Sequence, residues 1–148
     1  MRLLLQRVIR AEVGVAGKVI GAIGPGLVVL IGVGYDDTES EADVLAARVI
    51  DLRIFRDEDG KTNRSLLDVR GELLAISQFT LFADTRKGRR PSFIRAAPPE
   101  LGERLYERFA AAVEARGVTV ARGIFGAEME VELVNDGPMT IWLDSEDR

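Results

Sequence analysis

The sequence predicts a single α+β domain over residues 1–148: a barrel-like, mainly antiparallel curled sheet flanked by two helices. Three observations lead there. Short apolar runs, several with two-residue alternation, recur along the chain between turns rich in Gly, Pro, Asp and Asn. Two stretches, after Thr38 and after Pro98, carry apolar residues at helical spacing. Finally, 148 residues at 47% hydrophobic supply one sizeable core, with no linker, repeat or low-complexity segment to divide it.

Taken in order, residues 2–9 read as a strand with Leu3, Leu5 and Arg7 on one face and Leu4, Gln6 and Val8 on the other. Residues 11–15 and 18–23 form a hairpin turning at Ala16-Gly17, with Val13, Val15 and Val19 as its apolar positions. Gly24-Pro25-Gly26 is a turn. Leu27 to Ile31 is a strand buried on both faces. Thr38-Glu39-Ser40-Glu41 opens the first helix as a capping box, with Leu45, Val49 and Leu52 on its apolar side and Val44 flanking. A short extended piece spans 52–55, and 56–61 is a polar turn. Asp57, Glu58 and Asp59 there resemble part of a calcium loop but lack its 12-residue spacing and terminal glutamate, so no metal site is expected.

Residues 64–71 connect to a strand starting at Glu72. Pro98-Pro99 begins the second helix, striped by Leu101, Leu105, Phe109 and Val113, with Glu100 and Arg104 spaced as a pair and Gly117 as its stop. A short strand follows at 118–121. Glu128 to Leu133 alternates, glutamates to water and Met129, Val131 and Leu133 to the core. Asn135-Asp136-Gly137-Pro138 is a turn, and residues 139–143 form the last strand. The total is about eight strands and two helices.

The chain has no cysteine and no histidine. Disulfides, thiolate nucleophiles and Cys-based metal sites are excluded, as is the usual general base of a Ser or Cys triad. Hydrolysis here must rely on hydroxyls, carboxylates, backbone dipoles or groups on the substrate. No metal or organic cofactor is expected. The longest nearly continuous apolar run, residues 27–33, is far short of the about 20 residues of a membrane span. Neither it nor the N-terminal residues suggest a membrane or export segment, so a cytoplasmic location is expected.

Chemistry concentrates in residues 72–93. The hydrophobic strand Glu72-Leu73-Leu74-Ala75-Ile76 runs into Ser77-Gln78-Phe79-Thr80-Leu81-Phe82. Continued alternation puts Gln78 and Thr80 on the face of Leu74, Ile76 and Phe82, and Ser77 and Phe79 on the other. A buried hydroxyl or amide without a partner costs about 1–3 kcal/mol, so these groups are either paired by the fold or face a ligand. Arg86, Lys87, Arg89 and Arg90 follow at once, four cations within five residues of a chain whose net charge is −4. They are either a solvated loop or a phosphate-binding patch. Asn135 to Pro138, for its part, is ordinary turn chemistry unless the Gly-Pro bond is cis, which would make it a rigid acceptor of hydrogen bonds.

Ser77 to Phe93 and Asn135-Asp136-Gly137-Pro138 resemble the signature motifs of the D-aminoacyl-tRNA deacylases. Gln6-Arg7-Val8, residues 63–68, Pro98-Pro99 and Phe125-Gly126 extend the resemblance over essentially the whole chain. Met139 stands where valine or phenylalanine would be usual, a conservative apolar change. The resemblance implies a homodimeric carboxylic ester hydrolase acting on the acceptor end and terminal adenosine of D-aminoacyl-tRNA, and on glycine mischarged onto tRNA. It also implies a cis Gly137-Pro138 loop that enters the partner's site, with Arg7 fixing the loop. Met139 counts among the substrate-binding residues on the same ground. L-aminoacyl groups would then be rejected by exclusion.

Ser77, Gln78 and Thr80 are the candidate catalytic residues. Thr80 serves either as nucleophile, for which no base is evident, or as part of a positioning group. In the second scheme the backbone N–H groups of residues 77–80 stabilise the oxyanion, and water attacks with help from the adenosine 2′-hydroxyl. Phe79 either stacks on adenine or belongs to the core. A non-catalytic nucleic-acid-binding module and a small-molecule esterase are the alternatives.

Overall fold

Strand β1 (Arg2–Val15) holds the sheet together. The computed structural model describes residues 1–147; Arg148, the last residue of the expected domain, lies outside the described residues. Along its first half β1 pairs antiparallel with β3 (Gly26–Gly32), and along its second with β2 (Lys18–Ile23). Its opposite edge pairs with β8 (Glu130–Asp144) for almost its whole length. The two strands expected at 2–9 and 11–15 are thus one, because nothing between them breaks the ladder. The hairpin turns where expected: Ala16 and Gly17 have φ of 50° and 79°, the mirror-image turn whose twist suits a strand pair. Val19, expected among the hairpin's apolar positions, is exposed.

From β3 the sheet continues through β6 (Glu72–Ser77) to β7 (Val120–Arg122), and both pairings are parallel. The sheet is therefore mixed rather than purely antiparallel: its longest pairings, those of β1 with β8 and β3, run antiparallel as expected, as does β1 with β2, and only the β3–β6–β7 side is parallel. Parallel neighbours need a crossover, and the two helical segments supply one each; periodicity marks strands but not the direction of their partners. Curling brings β2 round to β7: a Cβ on Gly21 would lie 3.0 Å from the Arg122 carbonyl oxygen. The result is a nearly closed barrel.

One core fills the barrel, built on Val8, Val13, Val28, Leu74 and Ile76. A larger one lies between its outer face (Leu3, Leu5, Val29, Leu73, Ala75) and helices α1 (Glu39–Asp51) and α2 (Pro99–Ala115). The capping box forms at α1: Thr38 N–H donates to Glu41 Oε2 at 2.7 Å and Ser40 N–H to Thr38 Oγ1 at 3.3 Å. Leu45 and Val49 are buried, whereas flanking Val44 is 63% exposed. Pro99 opens α2, and Gly117, at φ 92°, follows its end. A separate small hairpin, β4 (Phe55–Arg56) with β5 (Thr62–Arg64), turns on Asp57, whose Oδ1 accepts the N–H groups of Asp59 and Lys61 at 2.9 Å each. Among the described residues no helix is long and apolar enough to cross a membrane.

Candidate active site

The motif strand does not run to Phe82. β6 stops at Ser77, where Gln78 N–H makes a last ladder bond to the Ile31 carbonyl at 2.7 Å. Residues Phe79–Phe82 then coil into a 3-10 turn closed by Leu81 N–H to Gln78 O at 3.3 Å and Ala83 N–H to Thr80 O at 3.0 Å. The cause is the end of β3. Gly32 has no side chain, so Gln78 O and Leu81 Cβ fold over it; a Cβ there would lie 3.0 Å from each. The expected alternation beyond Ser77 is therefore overturned, and with it the premise that these polar groups are buried. Phe79 is 55% exposed, and Thr80 is exposed too. Leu81 and Phe82 turn inward instead, and Phe82 is buried.

Within the turn the Gln78 side-chain amide donates to Thr80 Oγ1. No base contacts that hydroxyl among the described residues. Gln78 N–H is engaged by Ile31, so it is not free for an oxyanion, contrary to expectation. Phe79 and Thr80 remain, because the first N–H groups of a helical turn have no partner within it.

The turn forms one wall of a pocket of about 550 Å³. Ser77 and Gln78 bring the pocket's polar side chains; Ile76, Phe79, Phe93, Ala96, Ala97, Pro99, Phe125, Ala127, Met129 and Val131 make the rest apolar, with Gly126 between them. The alternation of residues 128–133 is real, but its apolar face is only partly core. Val131 is 37% exposed and lines the pocket, and Met129 reaches both pocket and barrel interior. Phe93 and Phe125 stood out in the sequence only as parts of the family resemblance, and the Ala96-Ala97 pair carried no role, since two separate loops, before α2 and after β7, converge to bring them together. An apolar pocket with a polar edge suits a flat ring next to a polar linkage.

The Gly137-Pro138 segment is not a turn between two strands. It bulges from the middle of β8: Val8 pairs with Asn135 and Gln6 with Thr140, so Arg7 alone stands against the four residues Asp136 to Met139. The Gly137-Pro138 peptide is cis, and both residues are exposed. Asn135 Nδ2 closes the base of the loop, donating to the carbonyls of Arg7 at 2.9 Å and Met139 at 3.0 Å. Arg7 is 3% exposed; it donates from Nη1 to the Ile54 carbonyl, and its Nε forms an ion pair with Asp136 Oδ2 at 3.0 Å. A Cβ on Gly137 would lie 2.8 Å from Arg7 Nη2. Met139 is half-buried against the core beneath the helices. None of residues 135–139 lines the pocket of its own chain.

The basic loop leaves the 3-10 turn and returns to the pocket wall at Phe93. Asp84 and Ser92 close it with two backbone hydrogen bonds, 2.8 and 2.9 Å. Arg86 folds back onto Asp84, at 2.9 Å from Nε and 2.6 Å from Nη2, and holds that carboxyl well below the usual carboxylate range. Lys87, Arg89 and Arg90 are exposed to solvent. Among the described residues no group of three or more acidic side chains is arranged to hold a metal ion.

A family model described as D-Tyr-tRNA(Tyr) deacylase matches residues 4–144. A D-aminoacyl-tRNA deacylase from Paracoccus denitrificans (strain Pd 1222) is 60% identical over 148 residues, covering 100% of this chain and 99% of its own. The protein of the same name from Roseiflexus castenholzii (strain DSM 13941 / HLO8) is 59% identical over 98% of this chain and 92% of its own. Among solved structures, a c-Myc DNA Unwinding Element Binding Protein superposes with a TM-score of 0.91 at 41% identity, covering 97% of this chain and 98% of that one. A probable eukaryotic D-amino acid tRNA deacylase shares the fold, with a TM-score of 0.84 at 22% identity over 96% of this chain and 97% of that one.

Proposed function

The chain belongs to the D-Tyr-tRNA(Tyr) deacylase family, and we propose that it hydrolyses the ester of D-aminoacyl-tRNA, and of glycine mischarged onto tRNA, releasing the amino acid and free tRNA. The observation that carries this reading is the family match over nearly the whole chain, together with a pocket edged by Ser77, Gln78 and Phe79.

The terminal adenosine enters the apolar pocket against Phe79, and the ester carbonyl lies at the start of the 3-10 turn. Water attacks the carbonyl carbon with the adenosine 2′-hydroxyl assisting. The N–H groups of Phe79 and Thr80 stabilise the oxyanion, and the 3′-oxygen leaves as the proton reaches it. Thr80 is better suited to positioning than to attack: its oxygen accepts from Gln78, and no base is at hand to take its proton. Ser77, at the end of β6, lines the pocket with Gln78.

Chirality is read by a second copy of the chain. The chain works as a symmetric homodimer in which Gly137 and Pro138 of the partner subunit close the pocket, hold the substrate α-amino group and leave no space for an L side chain. The exposure of that loop, its base held on Arg7 and Asn135, and its absence from the lining of its own chain's pocket support this. Lys87, Arg89, Arg90 and, less freely, Arg86 contact tRNA phosphates. The reaction belongs in the cytoplasm, where aminoacyl-tRNA is used, and employs no cofactor.

Deacylation of D-Tyr-tRNA and L-Tyr-tRNA, followed side by side with metal chelated and enzyme below substrate, tests the reading. Release from the D form alone is expected; equal rates on both would overturn it. A nucleic-acid-binding module is the second reading, favoured by the exposed basic loop and by the name of the 41% identical neighbour. It requires salt-steep binding to generic DNA or RNA without turnover.

A further inference from the structure

The small β4–β5 hairpin lies outside the barrel sheet, yet two of its groups reach the Gly137-Pro138 loop. The Ile54 carbonyl, at its entry, accepts from buried Arg7. Arg56, on β4, approaches Asp136 with Nη1 at 3.2 Å from Oδ1 and 3.3 Å from Oδ2. Asp136 immediately precedes Gly137 and also pairs with Arg7 Nε at 3.0 Å. One carboxylate therefore stands between two guanidiniums, that of Arg7 inside the protein and that of Arg56 at its surface. The inner pair is compulsory, since a buried cation without a partner is strongly unfavourable. A single inner contact leaves the carboxylate free to pivot about it, and with it the peptide entering Gly137. Arg56 removes that freedom.

We propose that Arg56 is a positioning residue for chiral selection: through Asp136 it sets the angle at which Gly137 and Pro138 are presented. The assignment rests on the proposed deacylase reading. Arg56 touches no substrate; it acts through the loop, and as an exposed pair its contact weakens with salt.

The test is the ratio of kcat/KM on D-Tyr-tRNA to that on L-Tyr-tRNA. For Arg56→Ala the ratio falls by about 3- to 5-fold, the size of a lost surface ion pair, with an unchanged melting temperature. Arg56→Lys, which keeps the charge, recovers most of it. Raising salt lowers the ratio of the wild type toward that of Arg56→Ala and leaves Arg56→Ala itself unmoved. A discriminating wild type whose ratio and salt response are unaltered in Arg56→Ala overturns this assignment alone. A wild type that does not discriminate overturns the deacylase reading, and the assignment with it.

Discussion

The Phe93 ring stands edge-on to that of Phe79, centroids 5.1 Å apart and planes at 74°. This contact joins the start of the 3-10 turn to the returning end of the basic loop, so the pocket wall and the loop share one support. An aromatic pair of this kind contributes about 0.5–1.5 kcal/mol beyond its buried area. Phe93→Ala is expected to lower kcat/KM on D-Tyr-tRNA by about 10-fold, mainly through KM. Steady-state kinetics checks this; an unchanged KM would uncouple the wall from substrate binding.

Thr80 distinguishes the two routes to hydrolysis. Its hydroxyl accepts from Gln78, and losing that hydrogen bond is worth about 1 kcal/mol. Thr80→Ala should therefore slow single-turnover release of D-Tyr by less than about 10-fold. A loss of about 1000-fold or more would identify Thr80 as the nucleophile.

The three solvent-facing cations make a salt-dependence prediction. Each phosphate neutralised on a single strand adds about 0.7 to the slope of log affinity against log salt. Replacing Lys87, Arg89 and Arg90 together by alanine should flatten the salt slope of kcat/KM by about 2. Hydrolysis of a small D-tyrosine ester should be unaffected. An unaltered slope would return these residues to plain solvated surface.

Tyr106 predicts an alkaline limit to stability. Its hydroxyl is buried and donates to the Ala75 carbonyl at 2.9 Å. Burial foremost, then the charge of Glu107, pushes the phenol up to about 12. The unfolded chain loses this proton near pH 10, about two units earlier. Below that pH the contribution to stability is complete, and it is lost as pH rises through the folded value. Urea midpoints for Tyr106→Phe should be lower at neutral pH by the missing hydrogen bond, and should decline less than those of the wild type above about pH 10.

Gly26 is a steric requirement. A Cβ there would stand 1.9 Å from the backbone carbonyl oxygen of Glu72, where β3 and β6 meet. Gly26→Ala should cost more than about 4 kcal/mol and prevent folding, visible as loss of far-UV circular dichroism. A folded variant would mean that the two strand ends separate without penalty.

Local chemistry was legible in the sequence, and partners were not. The capping box at Thr38, the Ala16-Gly17 turn and the proline start of α2 depend on neighbours within a few residues, and all form. The parallel direction of β6 against β3 depends on residues far apart, so alternation said nothing about it. The stretch from Ser77 to Phe82 misled for a related reason: its pattern suits a strand, but its partner ends at Gly32. Asn135 to Pro138 has turn composition, yet β1 pairs on both sides of it. Only the tertiary ladder distinguishes a bulge from a reversal. The pocket's far wall, with Phe93 and Phe125, comes from distant loops, and beyond the family resemblance no local pattern marked these residues as lining. What singled out Ser77 and Gln78 was polarity at the end of a buried strand, and both line the pocket, as does Phe79, which the sequence offered either as a stacking ring or as core.

A loop that leaves and rejoins the same strand has no hinge at its base. Asn135 is paired with Val8 and Thr140 with Gln6, so the base of the Gly137-Pro138 loop can swing only if β1 is peeled from β8, and Arg56 adjusts no more than the tilt of the tip upon it. That peeling belongs with global unfolding rather than with local breathing. On the proposed reading, proofreading fidelity is inherited from the stability of the barrel. Warming the protein should reduce the number of active molecules while each survivor remains as selective as before.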